Sequence, residues 1–168
     1  IFSAYDHIKK NNPKNNFRVI YPTPDGDKLN LEISKNLAKE DNIIFICGHY
    51  KSIDQRVRDS IVTDEISIGD YILSGGELPS CVIIDSIIRL IPGVLNRIES
   101  AESDSFNDGL LDADYYTRPE EINGLKVPKV LVSGNHREIK KWRDERKLEK
   151  TKLKRIDLYN NYLKNKKQ

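Results

Sequence analysis

One segment near the middle of the chain limits the fold more than any other. Residues 64–92 read DEISIGDYILSGGELPSCVIIDSIIRLIP, which is a short apolar run, a Gly-Gly turn, and a mostly apolar helix beginning near Pro79. A junction of this kind leaves backbone amide and carbonyl groups exposed, and a small ligand can bind there. The fingerprint of dinucleotide-binding proteins has three glycines at fixed spacing between a strand and a helix. Gly69, Gly75 and Gly76 do not have that spacing, so we expect a different nucleotide-like ligand.

Strands and helices alternate through the first half of the 168-residue chain. The continuous apolar run IIFICG, residues 43–48, is typical of a strand buried on both faces of a parallel sheet. The pattern therefore predicts an α/β domain with a mainly parallel sheet, and the length allows a small helical appendage. The other predicted elements are strands at 17–21 and 65–68, a turn at 22–27, helices at 3–10, 31–38 and 54–60, and a helix after Pro79 that buries Val82, Ile83, Ile87, Ile88 and Leu90.

The charge is unevenly distributed along the chain. Residues 134–168 contain 13 Lys or Arg and 5 Asp or Glu, whereas the other residues contain 15 and 21. Such a basic segment is typical of a nucleic-acid contact, although a solvated helical face has the same composition. The acidic, polar run 99–109 predicts a linker, and residues 127–136 predict a short strand followed by a turn. A basic helix should begin near Asn135 and pack against the rest of the protein through Ile139 and Trp142.

Composition excludes several other classes of protein. No apolar run approaches the roughly 20 residues that span a bilayer. Cys47 and Cys81 lie in apolar runs without paired spacing, which favours buried thiols in a reducing cytoplasm over a disulfide or zinc framework. We find no metal-ligand cluster and no secretory signal. Because the chain begins at Ile1 and not at Met, we expect further residues to precede it.

Four sequence blocks together carry a family resemblance. GHYKSIDQRV, GDYILSGGELP, SAESDSFNDGLLDADYYTRP and VPKVLVSGNHREIKKWR resemble, in family order, the bacterial tRNA (guanine-N1)-methyltransferases of the SPOUT class. The resemblance implies an α/β fold with a deep trefoil knot, S-adenosylmethionine as methyl donor, tRNA as substrate, and a cytoplasmic homodimer with shared active sites. It also implies methylation of N1 of guanine 37, next to the anticodon. The implied domains are 1–98 for the cofactor, 99–114 as a mobile linker, and 115–168 as a truncated basic, mostly helical tRNA-binding domain.

The resemblance also implies a cofactor site made by three loops. Backbone groups in such loops can read the edge of an adenine, and glycine permits close approach, although each glycine could equally serve an ordinary turn. The implied cofactor-binding residues are Tyr21, Pro22, Thr23, Pro24, Gly26, Gly48, Tyr50, Ser67, Ile68, Gly69, Asp70, Tyr71, Ile72, Leu73, Gly75, Gly76 and Pro79.

Two catalytic residues follow from the same resemblance. Asp104 corresponds to the family's general base, which removes the N1 proton, and Arg89 to the arginine that stabilises negative charge on O6. From the residues alone, Asp104 could be a solvated linker acid and Arg89 could complement a helix dipole. The family is associated with magnesium during transfer.

The chain departs from the family in one loop. The family usually has arginine, glutamate and glycine where His49, Lys51 and Ser52 stand, and an acid where Gln55 stands. Lys51 therefore reverses a charge beside the expected pocket. Two other interpretations remain open: a knotted methyltransferase that modifies another RNA position, and a non-catalytic RNA-binding module that has lost cofactor affinity.

Overall fold

The protein consists of two compact units. A computed structural model describes residues 1–49, 51–94 and 104–166. The units are Ile1–Ile98 and Glu99–Gln168, and each is described below by itself. Part of the predicted linker, residues 99–103, lies outside the described residues, and the assignment of domain roles stays a prediction.

The first unit is a three-stranded parallel sheet with helices. Strand β1 lies in the centre; it pairs with β2 from Arg18 opposite Ile43 and with β3 from Ile20 opposite Asp64. This arrangement confirms the predicted α/β class and parallel sheet. The elements are α1 (Phe2–Asn11), β1 (Arg18–Lys28), α2 (Leu31–Leu37), β2 (Ile43–Phe45), α3 (Gln55–Ile61), β3 (Asp64–Ser67) and α4 (Glu77–Ile88).

Apolar side chains cover both faces of the sheet, as expected for parallel strands. Ile20 points to one face, where it packs with Leu37 of α2 and Ile83 of α4. Val19 points to the other face, where it packs with Val57 of α3. The alternation along β1 therefore fixes which helices lie on which face of the sheet.

The predicted turn at 22–27 lies inside the long strand β1. Pro22 and Asp27 both stand opposite Ile66 of β3, so the residues between them form a bulge. A bulge leaves extra residues unpaired while the strand continues in the same sheet. The prediction of a turn between a strand and a helix was wrong because Pro and Gly within a strand also mark bulges.

Helix α4 buries fewer side chains than predicted. Ile83 and Ile87 are buried, but Val82 and Ile88 are 48% and 41% exposed, and Leu90 is half-buried. Residues four apart share one face of a helix, so a single stripe meets the sheet. Among the described residues of this unit, nothing covers the apolar side chains on the other faces of α4.

Both cysteines are exposed, so the prediction of buried thiols was wrong. Cys81 lies on the exposed side of α4, and Cys47 lies just beyond β2, with its Sγ 3.3 Å from the Ser80 Oγ. An apolar sequence context did not distinguish the sheet-facing side of these elements from the open side.

The second unit is mainly helical. Its elements are the hairpin of β4 (Glu121–Ile122) and β5 (Leu125–Lys126), followed by α5 (Lys129–Val132), α6 (His136–Lys154) and α7 (Ile156–Asn165). Residues 129–132 are helical, so the strand predicted there was wrong. The basic helix is confirmed, and the Asn135 side chain caps it by accepting a hydrogen bond from the Glu138 N–H at 3.3 Å.

A buried threonine joins α6 to the segment that precedes the hairpin. Thr151 is fully buried; its Oγ1 donates to the Lys147 carbonyl at 2.7 Å and accepts from the Leu111 N–H at 2.8 Å. Ile139 and Trp142 are half-buried, which confirms their predicted docking face. Within the described ranges, no helix of either unit is long and apolar enough to cross a membrane.

Candidate functional site

A cavity of about 320 Å³ opens where the three parallel strands end at their carboxyl edge. Three chain segments line it: residues 21–24 within β1, residues beyond β2, and residues 66–76 without Asp70, at the end of β3 and beyond it. Pro79 of α4 completes the lining. Parallel strands bring the loops at their carboxyl ends to the same edge, which is the usual ligand position in open α/β sheets.

Most of the predicted cofactor-binding residues line this one cavity. They are Tyr21, Pro22, Thr23, Pro24, Gly48, Ser67, Ile68, Gly69, Tyr71, Ile72, Leu73, Gly75, Gly76 and Pro79. Whether they hold a cofactor stays a prediction.

Three of the predicted residues are not placed at the cavity. Gly26 borders a separate depression beside β3, and the Asp70 carboxylate points to Lys28, whose Nζ lies 2.6 Å away. Tyr50 lies outside the described residues. The cavity is also lined by His49, Lys51, Ser52, Ile66 and Ser74, which were not predicted as ligand contacts although they lie in or beside the same sequence blocks.

Close contact between two loops gives the cavity its floor. The Gly76 N–H donates to the Gly48 carbonyl at 2.8 Å, and an isolated antiparallel bridge joins His49 to Gly75. A Cβ at Gly76 would lie 2.9 Å from the Cys47 Cα and from the Gly48 nitrogen. Glycine is needed at Gly76 because these are backbone atoms that cannot rotate away.

A network around Arg58 holds the bulge of β1 beside the cavity. The Arg58 guanidinium pairs with Glu65 at 2.5 Å and with Asp25 at 2.8 Å, and it lies 5.4 Å from the ring centroid of Tyr21. Hydrogen bonds from Thr23 and then from Arg58 lower the pKa of Asp25, and the two acids raise the pKa of Arg58. The network therefore keeps Tyr21 and Thr23 in place on the cavity wall.

The charged groups at the cavity are cationic or paired. Lys51 and His49 are its ionisable basic lining residues in the described part of the chain. His49 Nε2 lies 2.6 Å from the Glu77 Oε1. A backbone hydrogen bond and then the bond to His49 lower the pKa of Glu77, so the mouth carries an ion pair when His49 is protonated.

The loop after β3 offers polar backbone and apolar side chains to a ligand. Ile72 is 77% exposed and Leu73 is 40% exposed. In the described ranges, no intramolecular backbone hydrogen bond uses the amide of Ile72 or Leu73. An apolar surface beside available amide groups suits a flat heterocycle with hydrogen-bonding edges.

The two predicted catalytic residues lie in different units. Arg89 is the exposed cap residue that directly follows α4, and Asp104 is half-buried at the start of the described part of the second unit. Their predicted roles therefore stay predictions. Among the described residues, no three His, Cys, Asp or Glu side chains form a group that could hold a metal ion.

The fold and site define an α/β protein with a ligand cavity at the carboxyl edge of a parallel sheet, joined to a basic helical unit. The chain belongs to the tRNA (Guanine-1)-methyltransferase TrmD family, whose model matches residues 1–161. This finding confirms the resemblance drawn from the four sequence blocks.

Proteins named tRNA (guanine-N(1)-)-methyltransferase are similar to this chain over nearly its whole length. The protein from Lachnospira eligens is 53% identical over 164 residues, which is 98% of this chain and 69% of that protein. The protein from Clostridioides difficile is 54% identical over 159 residues, which is 95% of this chain and 69% of that protein. The protein from Listeria monocytogenes is 48% identical over 162 residues, which is 96% of this chain and 66% of that protein.

Proposed function

We propose that this protein transfers the methyl group of S-adenosylmethionine to N1 of a guanine in tRNA. The observation that carries the proposal is the joining of three loops, two of them from family sequence blocks, into a single cavity at the carboxyl edge of the sheet. The names of its relatives support the same reaction. We further propose that the target is guanine 37, next to the anticodon, and that the reaction takes place in the cytoplasm.

The cavity suits the methyl donor in size and chemistry. Its volume of about 320 Å³ falls at the lower end of small-molecule sites. The amides of Ile72 and Leu73 would read the adenine edge, and the Tyr21 wall would limit the other side of the site. S-adenosylmethionine supplies an activated methyl group, so the protein has to contribute orientation and electrostatic stabilisation.

We include the trefoil knot in the proposal. The segment after β3 lies directly against the segment after β2, through the Gly76 hydrogen bond to Gly48 and the bridge between His49 and Gly75. The resemblance to the SPOUT class supports a knotted backbone, and this contact brings the two loops together at the cofactor site. A knot would restrict the loops and so reduce the entropy lost on binding.

At the guanine, the protein has to remove a proton and stabilise negative charge. Asp104 would accept the N1 proton as the methyl bond forms, and Arg89 would donate to O6 as negative charge develops there. A guanidinium suits this role because it stays protonated and offers several donors in one plane. The magnesium requirement of the family stays a prediction.

The exposed apolar face of α4 supports a homodimer. Leu78 is 67% exposed and Val82 48%, and Ile84, Ile88 and Ile91 are between 38% and 41% exposed. Several exposed apolar side chains on one helix and just after it mark an interaction surface. A second copy of the chain would cover this face, and the cofactor of one subunit would then meet Asp104 of the other.

The dimer is tested by introducing charge on this face. Leu78→Glu combined with Val82→Glu should give a monomer in light scattering after gel filtration, because two carboxylates would be desolvated at the interface. Ile122→Glu, at a 50% exposed position in the second unit, is the matched control and should stay dimeric. If the α4 variant keeps the dimer mass, the interface lies elsewhere.

The reaction is tested by removing the proposed base. Asp104→Asn should abolish methyl transfer to tRNA while calorimetry shows unchanged binding of S-adenosylmethionine. Asp108→Asn is the control: Asp108 lies in the same segment but pairs with Lys147, and it should keep transfer. Full turnover in Asp104→Asn would remove the base assignment, and nuclease digestion with mass spectrometry identifies the methylated atom.

Lys51 favours a second candidate function, a non-catalytic RNA-binding module. It lines the cavity where the family usually has an acid, and the reversed charge changes the electrostatics of the site. Calorimetry of the wild-type protein with S-adenosylmethionine separates the two functions. Absence of heat at high micromolar ligand would favour the non-catalytic module.

A further inference from the structure

A second cavity lies entirely within the C-terminal unit. Its volume is about 510 Å³, and it is bordered by Tyr115 and Tyr116, by Arg118 and Arg143, and by the apolar side chains of Leu131 and Ile139. We call these six residues the Tyr–Arg cleft. None of the cofactor-site assignments uses it.

The tyrosines offer ring surface to the solvent. Tyr115 is 68% exposed and Tyr116 is 48% exposed. The Tyr116 ring lies 6.4 Å from the ring of Trp142, centroid to centroid, and a half-buried Trp142 on α6 therefore supports it. Exposed aromatic rings on a segment that packs against a helix are a stacking platform for nucleobases.

The two arginines of the cleft differ from their basic neighbours. Arg146 and Lys150 both pair with Asp114, at 2.8 and 3.0 Å, and together they neutralise this acid at the cleft. In the part of the chain that the structure describes, no ion pair involves Arg118 or Arg143. An unpaired guanidinium is well suited to a phosphate because it donates in a fixed fork.

The cleft lies in electrostatic reach of Asp104. The Tyr115 hydroxyl donates to the Asp112 Oδ2 at 2.5 Å, and this bond is the main reason why the pKa of Tyr115 is raised. The charge of Asp104 raises that pKa further, and the charge of Arg143 lowers it. The Asp112 N–H also donates to the Oγ of Ser105, the residue that follows Asp104, at 2.9 Å, so Asp104 and the cleft are neighbours within one unit.

We propose that the Tyr–Arg cleft binds one unpaired nucleotide of the tRNA, with its base against the tyrosine rings and its phosphate at Arg118 and Arg143. The inference rests on the proposed function and adds a binding site to it. The net positive charge of residues 134–168 favours RNA over an acidic or apolar protein surface as the occupant, since a protein surface would lack repeated phosphates. A nucleotide held here would place the RNA close to Asp104.

The stacking is tested by a pair of substitutions at Tyr115 in the full-length protein. Tyr115→Ala should weaken binding of a fluorescently labelled tRNA transcript about tenfold to a hundredfold, which is the range for loss of one base-stacking contact. Tyr115→Phe keeps the ring and loses only the hydroxyl, so it should bind within about twofold of wild type. Binding of S-adenosylmethionine should be unchanged in both variants.

The nucleotide is identified by removing bases from the RNA one at a time. Transcripts with a single abasic site at each unpaired loop position are titrated with wild type and Tyr115→Ala. At one position, the loss of affinity caused by the abasic site and the loss caused by Tyr115→Ala should not add, because both changes remove the same contact. Additive losses at every position, or wild-type affinity of Tyr115→Ala, overturn the proposal.

The phosphate contact is tested against the general charge of α6. Arg143→Gln should weaken binding and reduce the salt dependence of the affinity more than Lys141→Gln, an exposed cation of the same helix outside the cleft. If the two variants change the affinity and its salt dependence equally, Arg143 does not hold a phosphate in the cleft. A Tyr115→Ala protein that binds RNA normally but loses its dimer mass would instead assign the cleft to a protein contact.

Failure of the proposed function would look different. Wild-type protein is first assayed for methylation of the unmodified transcript. If it methylates N1 of guanine and the abasic scan shows only additive losses, the cleft proposal alone fails. If it binds the transcript through Tyr115 but transfers no methyl group, the proposed reaction fails and the nucleotide site stands.

Discussion

A single added methyl group at Gly76 should separate the two loops that form the floor of the cofactor cavity. The Cβ of Gly76→Ala would lie 2.9 Å from backbone atoms of Cys47 and Gly48, whereas ordinary carbon contacts begin near 3.4 Å. Because the backbone has to move by several tenths of an ångström, we expect the cost of overpacking, about 1–3 kcal/mol. The backbone of Gly76 itself is helical, so the effect comes from contact and not from backbone strain.

This cost should appear in ligand affinity as well as in stability. If the displaced loop has to return before S-adenosylmethionine binds, about 1–3 kcal/mol corresponds to roughly 5- to 150-fold weaker binding. Calorimetry measures the affinity and urea denaturation measures the stability. Ser60→Ala, at an exposed position of α3 that does not line the cavity, adds no atom and should leave both the affinity and the stability within error. Wild-type affinity and stability in Gly76→Ala would refute the view that this close approach forms the site.

Three further predictions concern stability. Ile83→Ala should lower the free energy of unfolding by about 2–5 kcal/mol in urea denaturation, because Ile83 is fully buried. Ile84→Ala, at a 38% exposed position, should lower it by well under half as much in dilute protein. Equal losses of stability in the two variants would contradict the assignment of Ile83 to the core. Burial raises the pKa of Asp64, but hydrogen bonds from Arg18 and Thr63 outweigh burial and leave that pKa lowered. The ion pair of Arg18 with Asp64 should therefore stabilise the fold above about pH 4 and lose its effect as the pH falls further. Asp64→Asn should lower the free energy of unfolding by about 1–3 kcal/mol at pH 7 and reduce the dependence of stability on pH in the acid range. Asn135→Ala should lower the free energy of unfolding by about 1 kcal/mol through loss of a helix cap, measured by circular dichroism during denaturation.

Local sequence signals predicted the helices well. Asn30, Asp54 and Asn135 each accept a hydrogen bond from a backbone N–H two or three residues further on, and each starts a helix close to its predicted position. A cap acts within one turn of helix, so its effect can be read from a few consecutive residues. The parallel sheet was predictable for a similar reason, since its strands are short continuous apolar runs.

Signals that depend on distant contacts were misread. The segment 129–132 forms a helix although its apolar composition suggested a strand, because short apolar runs fit either structure. On α4, burial was predicted for Val82 and Ile88 as well as for Ile83, but Val82 and Ile88 are exposed. The difference arises from which face meets the sheet, and that is a tertiary property.

The candidate site shows the same division. The sequence blocks contained most lining residues of the cavity, but Gly26 and Asp70 lie elsewhere, because the bulge of β1 and the pair with Lys28 direct them away. The Tyr–Arg cleft was not predicted at all. Its tyrosines and Arg143 are more than 20 positions apart in sequence and meet only when α6 packs against the preceding segment.

The amino-acid sequence by itself determined the family, the helix starts, the parallel strands and the basic C-terminal segment, because motif identity, capping and charge are properties of neighbouring residues. Only the tertiary structure decided which side of α4 is open, that Gly76 is needed at a loop contact, and that Tyr115, Arg143 and Asp104 are neighbours in one unit. These features depend on distances between residues far apart in the chain, and such distances are set by packing of the whole unit.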